Sequence, residues 1–363
     1  MNLFNNNFEK TTISILAMLT KPLNTKPIIK LRFQNGLSLE SFKREVFDVN
    51  NVSNFFAFEE SDNPDFIIFG PYGNDIPPVG NYIRIAYFCE NITPDFSNCE
   101  WAFGVPREKE IGRNNYKRIQ WHGVFPQSLI KPENQEIDRI VQSKTCFCNF
   151  LYSHKVAYRE QFFKELSKYK KVDAPGKSMN NMPSIDSIYK GDIWERKRQF
   201  LSPYKFTIAF ENYSYPGYQT EKLYDSMAVN SIPIYCGDPF IGDIFNTRSF
   251  INAFETLQPN YSSSLQKLEQ KVQLSFIDIR PQFYKNLSHR TLRKIKQVGR
   301  ELKMKIEFNN LNYKALVDRI VEIDENEGMY RNTLAQPWFN NNTAPALDCI
   351  TDRWTEIFNT KIN

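Results

Sequence analysis

At 363 residues and 42.7 kDa, with 41% hydrophobic residues, the chain is too long for one ordinary core and too apolar for disorder, so two domains are expected. A net charge of +5 and a pI near 8.7 suit an anionic ligand such as a nucleotide, and a solvated basic surface equally well. They fall far short of the charge density of a dedicated nucleic-acid binder. The six cysteines (Cys89, Cys99, Cys146, Cys148, Cys236 and Cys349) lack zinc-knuckle spacing, and four sit in strand-like apolar runs. They read as buried thiols in a reducing cytoplasm.

In chain order, the first apolar stretch, Ile13 to Leu19, is about a third of a membrane span and follows acidic Glu9. Neither an anchor nor a signal peptide is expected there, and the protein is expected in the cytoplasm. Strands are predicted at Pro27 to Phe33, Asp65 to Phe69 and Tyr82 to Phe88, with a helix at Ser38 to Val46. The charged stretch Lys131 to Lys144 marks a boundary, giving domains 1–143 and 144–363. Beyond it come a strand at Thr145 to Leu151, a helix at Lys155 to Tyr169 and a strand at Tyr204 to Phe210. A helix opened by Thr220 as N-cap and a strand at Ile232 to Cys236 follow. The alternation predicts an α/β protein of two Rossmann-like domains facing each other across a cleft. Farther on, Thr291 to Lys305 places Leu292, Ile295 and Leu302 among many Arg and Lys residues. It fits a helix packed on the second domain, or one in weak peripheral contact with an anionic membrane.

Six residues carry a chemical suggestion of their own. Ligands of open α/β sheets lie beyond the carboxyl ends of the strands, which places Glu211, Asn212 and Tyr218 well. Lys222 falls in the first turn of the following helix, where a cation opposes the helix dipole unless an anion lies nearby. An exposed lysine reaching solvent is the alternative. Arg159 falls in the apolar stripe formed by Val156, Phe162, Phe163 and Leu166. A guanidinium there needs an acidic partner or an anionic ligand. Glu90, just after the strand Tyr82 to Phe88, is either a turn residue or a general base facing the cleft. No P-loop, Gly-x-Ser-x-Gly, His-Glu-x-x-His or Asp-x-Asp is present, and His122, His154 and His289 are dispersed. No metal cofactor is therefore expected, and fixed cations would have to neutralise a leaving group.

Several segments resemble the α1,3-fucosyltransferases, most nearly the bacterial Lewis-antigen enzymes. They are Tyr204-Lys-Phe-x-x-x-Phe-Glu-Asn, Gly217-Tyr-x-Thr-Glu-Lys-Leu, Ile232-Pro-Ile-Tyr-x-Gly and Phe245-Asn-x-x-Ser-Phe-Ile-Asn. Looser matches are Cys89-Glu-Asn-Ile-Thr-Pro-Asp-Phe, Val156-Ala-Tyr-Arg, Ile323-Asp-Glu-Asn-Glu and Gln336-Pro-Trp-Phe. The resemblance implies a GT-B fold with an N-terminal acceptor domain and a C-terminal GDP-fucose domain. It implies inverting, metal-independent transfer of L-fucose to O3 of GlcNAc in a Galβ1,4-GlcNAc-type oligosaccharide, giving a Lewis x-type product. An α1,4 linkage, another acceptor, another GDP-sugar and a non-catalytic glycan- or nucleotide-binding protein stay open as alternatives. Carried over by position, Glu90 is the general base and Glu221 serves the sugar or ribose. Arg159 and Lys222 meet the diphosphate, and Tyr204, Glu211, Asn212 and Tyr218 belong to the donor pocket. Neither repeat-driven dimerisation nor a Golgi anchor is implied.

Overall fold

The computed structural model describes residues 26–71, 75–89, 94–119, 125–257, 287–308, 311–345 and 348–362. The stretch Ile13 to Leu19 and the candidate base Glu90 lie outside them.

The first half is a parallel sheet of six strands: β1 (Ile28–Gln34), β2 (Ala57–Glu60), β3 (Phe66–Phe69), β4 (Ile83–Phe88), β5 (Trp101–Gly104) and β6 (Tyr116–Arg118). Its order is β2-β1-β3-β4-β5-β6. The central strands β3 and β4 are buried almost throughout, because a parallel sheet is covered on both faces. The predicted helix at Ser38 starts where expected, with the Ser38 hydroxyl accepting from Ser41 N at 3.3 Å. It is α-helical only over Leu39–Phe42 and continues as a π turn over Lys43–Phe47.

The second half is a parallel sheet of β7 (Cys146–Asn149), β8 (Val172–Asp173), β9 (Tyr204–Phe210), β10 (Ile232–Cys236) and β11 (Ile251–Asn252), ordered β11-β10-β9-β7-β8. Its principal helices are α1 (Ala157–Leu166), α2 (Ile193–Leu201), α3 (Glu221–Ala228), α4 (Leu287–Phe308), α5 (Lys314–Glu325) and α6 (Glu327–Ala335). The strand β9 lies between β10 and β7, with Ile208 opposite Ile234 and Phe206 opposite Cys148. Its residues after Lys205 are all buried. The Lys144 ammonium donates to the carbonyls of Ser202 and Val229, each at 2.6 Å, and so ties together the ends of α2 and α3. Among the described side chains, no cysteine forms a disulfide.

Two features depart from simple chain order. Leu129, ahead of the charged stretch, is already packed in the second core. Conversely, sequence order assigns the last helix, α7 (Asp348–Ile362), to the second half, but its apolar face belongs to the first. Trp354, Ile357 and Phe358 are fully buried among strands β1, β3, β4 and β5, with Trp354 stacked 4.3 Å from Phe103. Burial of aromatic surface this large outweighs proximity in sequence.

The basic helix α4 packs through Met304 and Phe308. Nearly opposite on the helix, Ile295, Val298, Leu302 and Ile306 are 63, 62, 55 and 44% exposed. Lys294 and Lys305 are exposed beside that stripe. Among the described residues, no helix is long and apolar enough to cross a membrane.

Candidate active site

A cleft of about 820 Å³ opens between the halves at the carboxyl ends of their strands. Cys89, at the end of β4, and Val105 and Ile119 line it from the first half. Arg159, Asn212, Tyr218, Glu221 and Lys222 line it from the second.

Its floor is built where β9 ends. Glu211 follows Phe210 and is fully buried, its backbone N–H donating to Cys236 O at 2.7 Å. Its carboxylate accepts the Thr220 N–H at 2.9 Å and the Thr220 hydroxyl at 2.9 and 2.8 Å, and meets the Lys222 ammonium at 3.3 Å. Thr220 does occupy the N-cap of α3, yet its hydroxyl makes no cap bond because Glu211 engages it. Burial pushes the Glu211 carboxyl above its usual range, against the pull of Lys222.

Lys222 also lies 3.4 Å from Glu221, and Lys197 on α2 lies 3.7 Å from Glu221 and 2.6 Å from Asp225. Burial opposes ionisation of Glu221, but the two ammoniums outweigh it and hold the carboxyl down at about 2. Burial likewise opposes the charge on Lys222, and Glu211 and Glu221 together keep it well above the ordinary lysine range. The cation in the first turn is thus not a solvent-seeking lysine. It sits in a partly buried network of alternating charge anchored on the fully buried Glu211.

Arg159 shows what its place in the stripe implied. It is fully buried with Tyr158, Phe162, Phe163 and Leu166 on α1. Its guanidinium donates only to neutral acceptors: Asn212 Oδ1 at 3.0 Å, Phe210 O at 3.2 Å and His154 O at 2.7 Å. It stacks 3.5 Å over the Tyr152 ring, and its Nε has no partner. No carboxylate pairs with it among the described residues, so its charge remains available to an anion in the cleft.

The loop from Asn212 to Gln219 reaches the first half. Gly217 has φ +89°, and a Cβ there would meet Arg107 Cγ at 3.0 Å and Val105 O at 3.2 Å. Arg118 donates to Gly217 O at 2.7 Å, and Tyr215 and Tyr218 pack with Val105.

The site therefore brings together Glu211, Asn212, Tyr218, Glu221, Lys222 and Arg159. It does not include Tyr204, which sequence reasoning groups with them. Tyr204 opens β9 at the far end, donating to Asp173 Oδ2 at 2.9 Å and packing on Phe200 and Leu201. Seven residues of strand separate it from the cleft by about 20 Å. Sequence reasoning misses Lys197 and Tyr152. Lys197 lies in the run Glu195-Arg-Lys-Arg, which resembles a solvated helix face, and only Glu221 and the buried Asp225 of α3, which it meets in space, distinguish it.

Comparison with known proteins is consistent across sequence and fold. Residues 141–296 match the family described as Glycosyltransferase family 10 (fucosyltransferase) C-term. A putative fucosyltransferase of Acanthamoeba polyphaga mimivirus is 35% identical over 153 residues, 40% of this chain and 24% of that protein. The alpha-(1,3)-fucosyltransferase FucT of Helicobacter pylori is 30% identical over 270 residues, 69% of this chain and 53% of that protein. The chain thus spans between a quarter and about half of the length of these curated relatives. A crystal structure of an alpha1,3-fucosyltransferase superimposes with a TM-score of 0.61 at 19% identity, covering 93% of this chain and 92% of that one. Its counterpart with GDP-fucose gives a TM-score of 0.58 at 18% identity. The two facing parallel sheets therefore form the GT-B fold.

Proposed function

We propose, since the chain belongs through residues 141–296 to glycosyltransferase family 10, the fucosyltransferases, that it transfers L-fucose from GDP-fucose to a sugar hydroxyl. The acceptor hydroxyl is O3 of GlcNAc in a Galβ1,4-GlcNAc-type glycan, and the anomeric centre is inverted. The observation that carries this reading is Arg159, a buried guanidinium with no carboxylate partner among the described residues, lining one cleft with Lys222. Solved relatives described as carrying GDP and GDP-fucose support the donor. In the second half, Arg159 and Lys222 meet the diphosphate, while Glu221, kept ionised, accepts hydrogen bonds from a sugar hydroxyl. Asn212 orients Arg159, and Tyr218 closes the wall toward the first half. Glu90 takes the proton of the attacking hydroxyl.

Because the neutralising cations are built into the protein, no metal cofactor is required. GDP release from GDP-fucose, followed over a panel of oligosaccharide acceptors with and without excess EDTA, tests all of this. Release should rise with the Galβ1,4-GlcNAc acceptor and persist under chelation. Loss on chelation with recovery on one added metal overturns metal independence, and no release with any acceptor overturns transferase activity.

The partner of the exposed stripe on α4 is an anionic lipid surface, because four apolar side chains are flanked there by Lys294 and Lys305. Sedimentation with phosphatidylserine vesicles should carry the protein down at low salt and lose it as salt rises. Equal recovery with neutral vesicles, or none with either, overturns this contact.

A further inference from the structure

Lys177 lines the same cleft as Arg159 and Lys222 and pairs with no carboxylate among the described residues. The loop that carries it, between β8 and α2, is fixed on both sides. Gly176 lies so close to the end of β7 that a Cβ would sit 2.2 Å from Tyr152 O, which no side chain can satisfy. Ser178 N donates to that same carbonyl at 3.0 Å, and the Ser178 hydroxyl donates to Glu160 on α1 at 2.7 Å. Asn181 joins Ala174 N and Val172 O through its side chain, each at 2.8 Å. Backbone on either side of Lys177 is therefore held, while the side chain between Gly176 and Ser178 is exposed.

Charge balance gives this lysine a purpose. Lys222 and Lys197 stand among Glu211, Glu221 and Asp225, so two ammoniums face three carboxylates. That cluster offers an incoming anion no surplus positive charge. A nucleoside diphosphate sugar brings about two negative charges, and GDP departs with roughly one more as its terminal phosphate is freed. Arg159, with a Lys222 already shared between Glu211 and Glu221, does not match this.

We propose that Lys177 is a further phosphate-binding residue of the donor site, which meets the diphosphate together with Arg159 and takes up the charge that grows on the departing phosphate. The proposal rests on the donor reading above. Isothermal titration of wild type, K177M and K177R with GDP, GMP and guanosine tests it, repeated over a series of salt concentrations. K177M should bind GDP about tenfold more weakly, lose part of the salt dependence, and bind guanosine as wild type does. K177R should keep most of the GDP affinity. Wild-type GDP affinity in K177M overturns the proposal alone, and so does an equal loss for guanosine, which marks a contact to the nucleoside. Wild-type protein that does not bind GDP overturns the donor reading and this proposal with it.

Discussion

Glu90→Gln should bind GDP-fucose as wild type does and lose about 10²–10⁴-fold in turnover, the usual contribution of a general base. A sugar hydroxyl is a poor nucleophile, and inversion requires it to attack opposite the departing GDP. On the function proposed above, its proton passes to a base across the cleft from the donor. Donor affinity should survive because the candidate phosphate ligands all stand in the second half. Glu90 follows Cys89, which lines the cleft from β4, and it matches the family motif. The nearby alternative, Asp95, is committed to its own turn. It accepts from Ser97 N at 3.0 Å, from the Ser97 hydroxyl at 2.8 Å and from Asn98 Nδ2 at 2.7 Å. The pH profile separates the carboxylates further. Glu221 keeps its charge down to about pH 2, so a loss of rate at milder acidity does not arise from it. Disappearance of that acid limb in Glu90→Gln assigns it to Glu90. Near-normal turnover in the variant removes Glu90 as the base.

Removing either candidate phosphate ligand, Arg159 or Lys222, should weaken GDP binding, but the two variants should differ in stability. Arg159→Ala loses a charge-assisted contact of about 1.5–3 kcal/mol, or roughly 10–150-fold in affinity. It leaves no buried charge unpaired, because its partners are the neutral carbonyls of Phe210 and His154 and the Asn212 amide oxygen. Lys222→Ala should lose comparable affinity, yet it also strips the partner from a fully buried carboxylate, Glu211. Sequence alone suggests a substitution that leaves the fold intact; the buried pair predicts a loss of about 3–5 kcal/mol in stability. Glu211→Gln added to Lys222→Ala should recover part of that stability without recovering GDP binding. Calorimetric titration with GDP and thermal unfolding read the two effects apart. Unchanged GDP affinity in both single variants removes the diphosphate assignment.

How far these features are legible in sequence depends on how strongly burial marks the residues. The strands β3, β4, β9 and β10 are buried nearly end to end and stand out as apolar runs. The strand β2 is an edge, with Glu59 and Glu60 exposed, and β6 is only Tyr116–Arg118, so neither has a detectable pattern. Arg159 was legible because a guanidinium in an apolar stripe is costly without a reason. Lys177 and Lys197 were not, since a lysine in a polar run has no visible cost until its neighbours in space are known. Tyr204 shows the opposite error: a shared motif groups residues that a strand of seven then carries to opposite ends of that strand.

The return of α7 to the first sheet means that the chain passes between the halves twice, once after residue 119 and once before residue 348. One covalent crossing acts as a pivot about which a domain can swivel in any direction. Two crossings define an axis. Opening and closing of the cleft is thereby confined to bending about that line, so the first half approaches the second along a fixed arc.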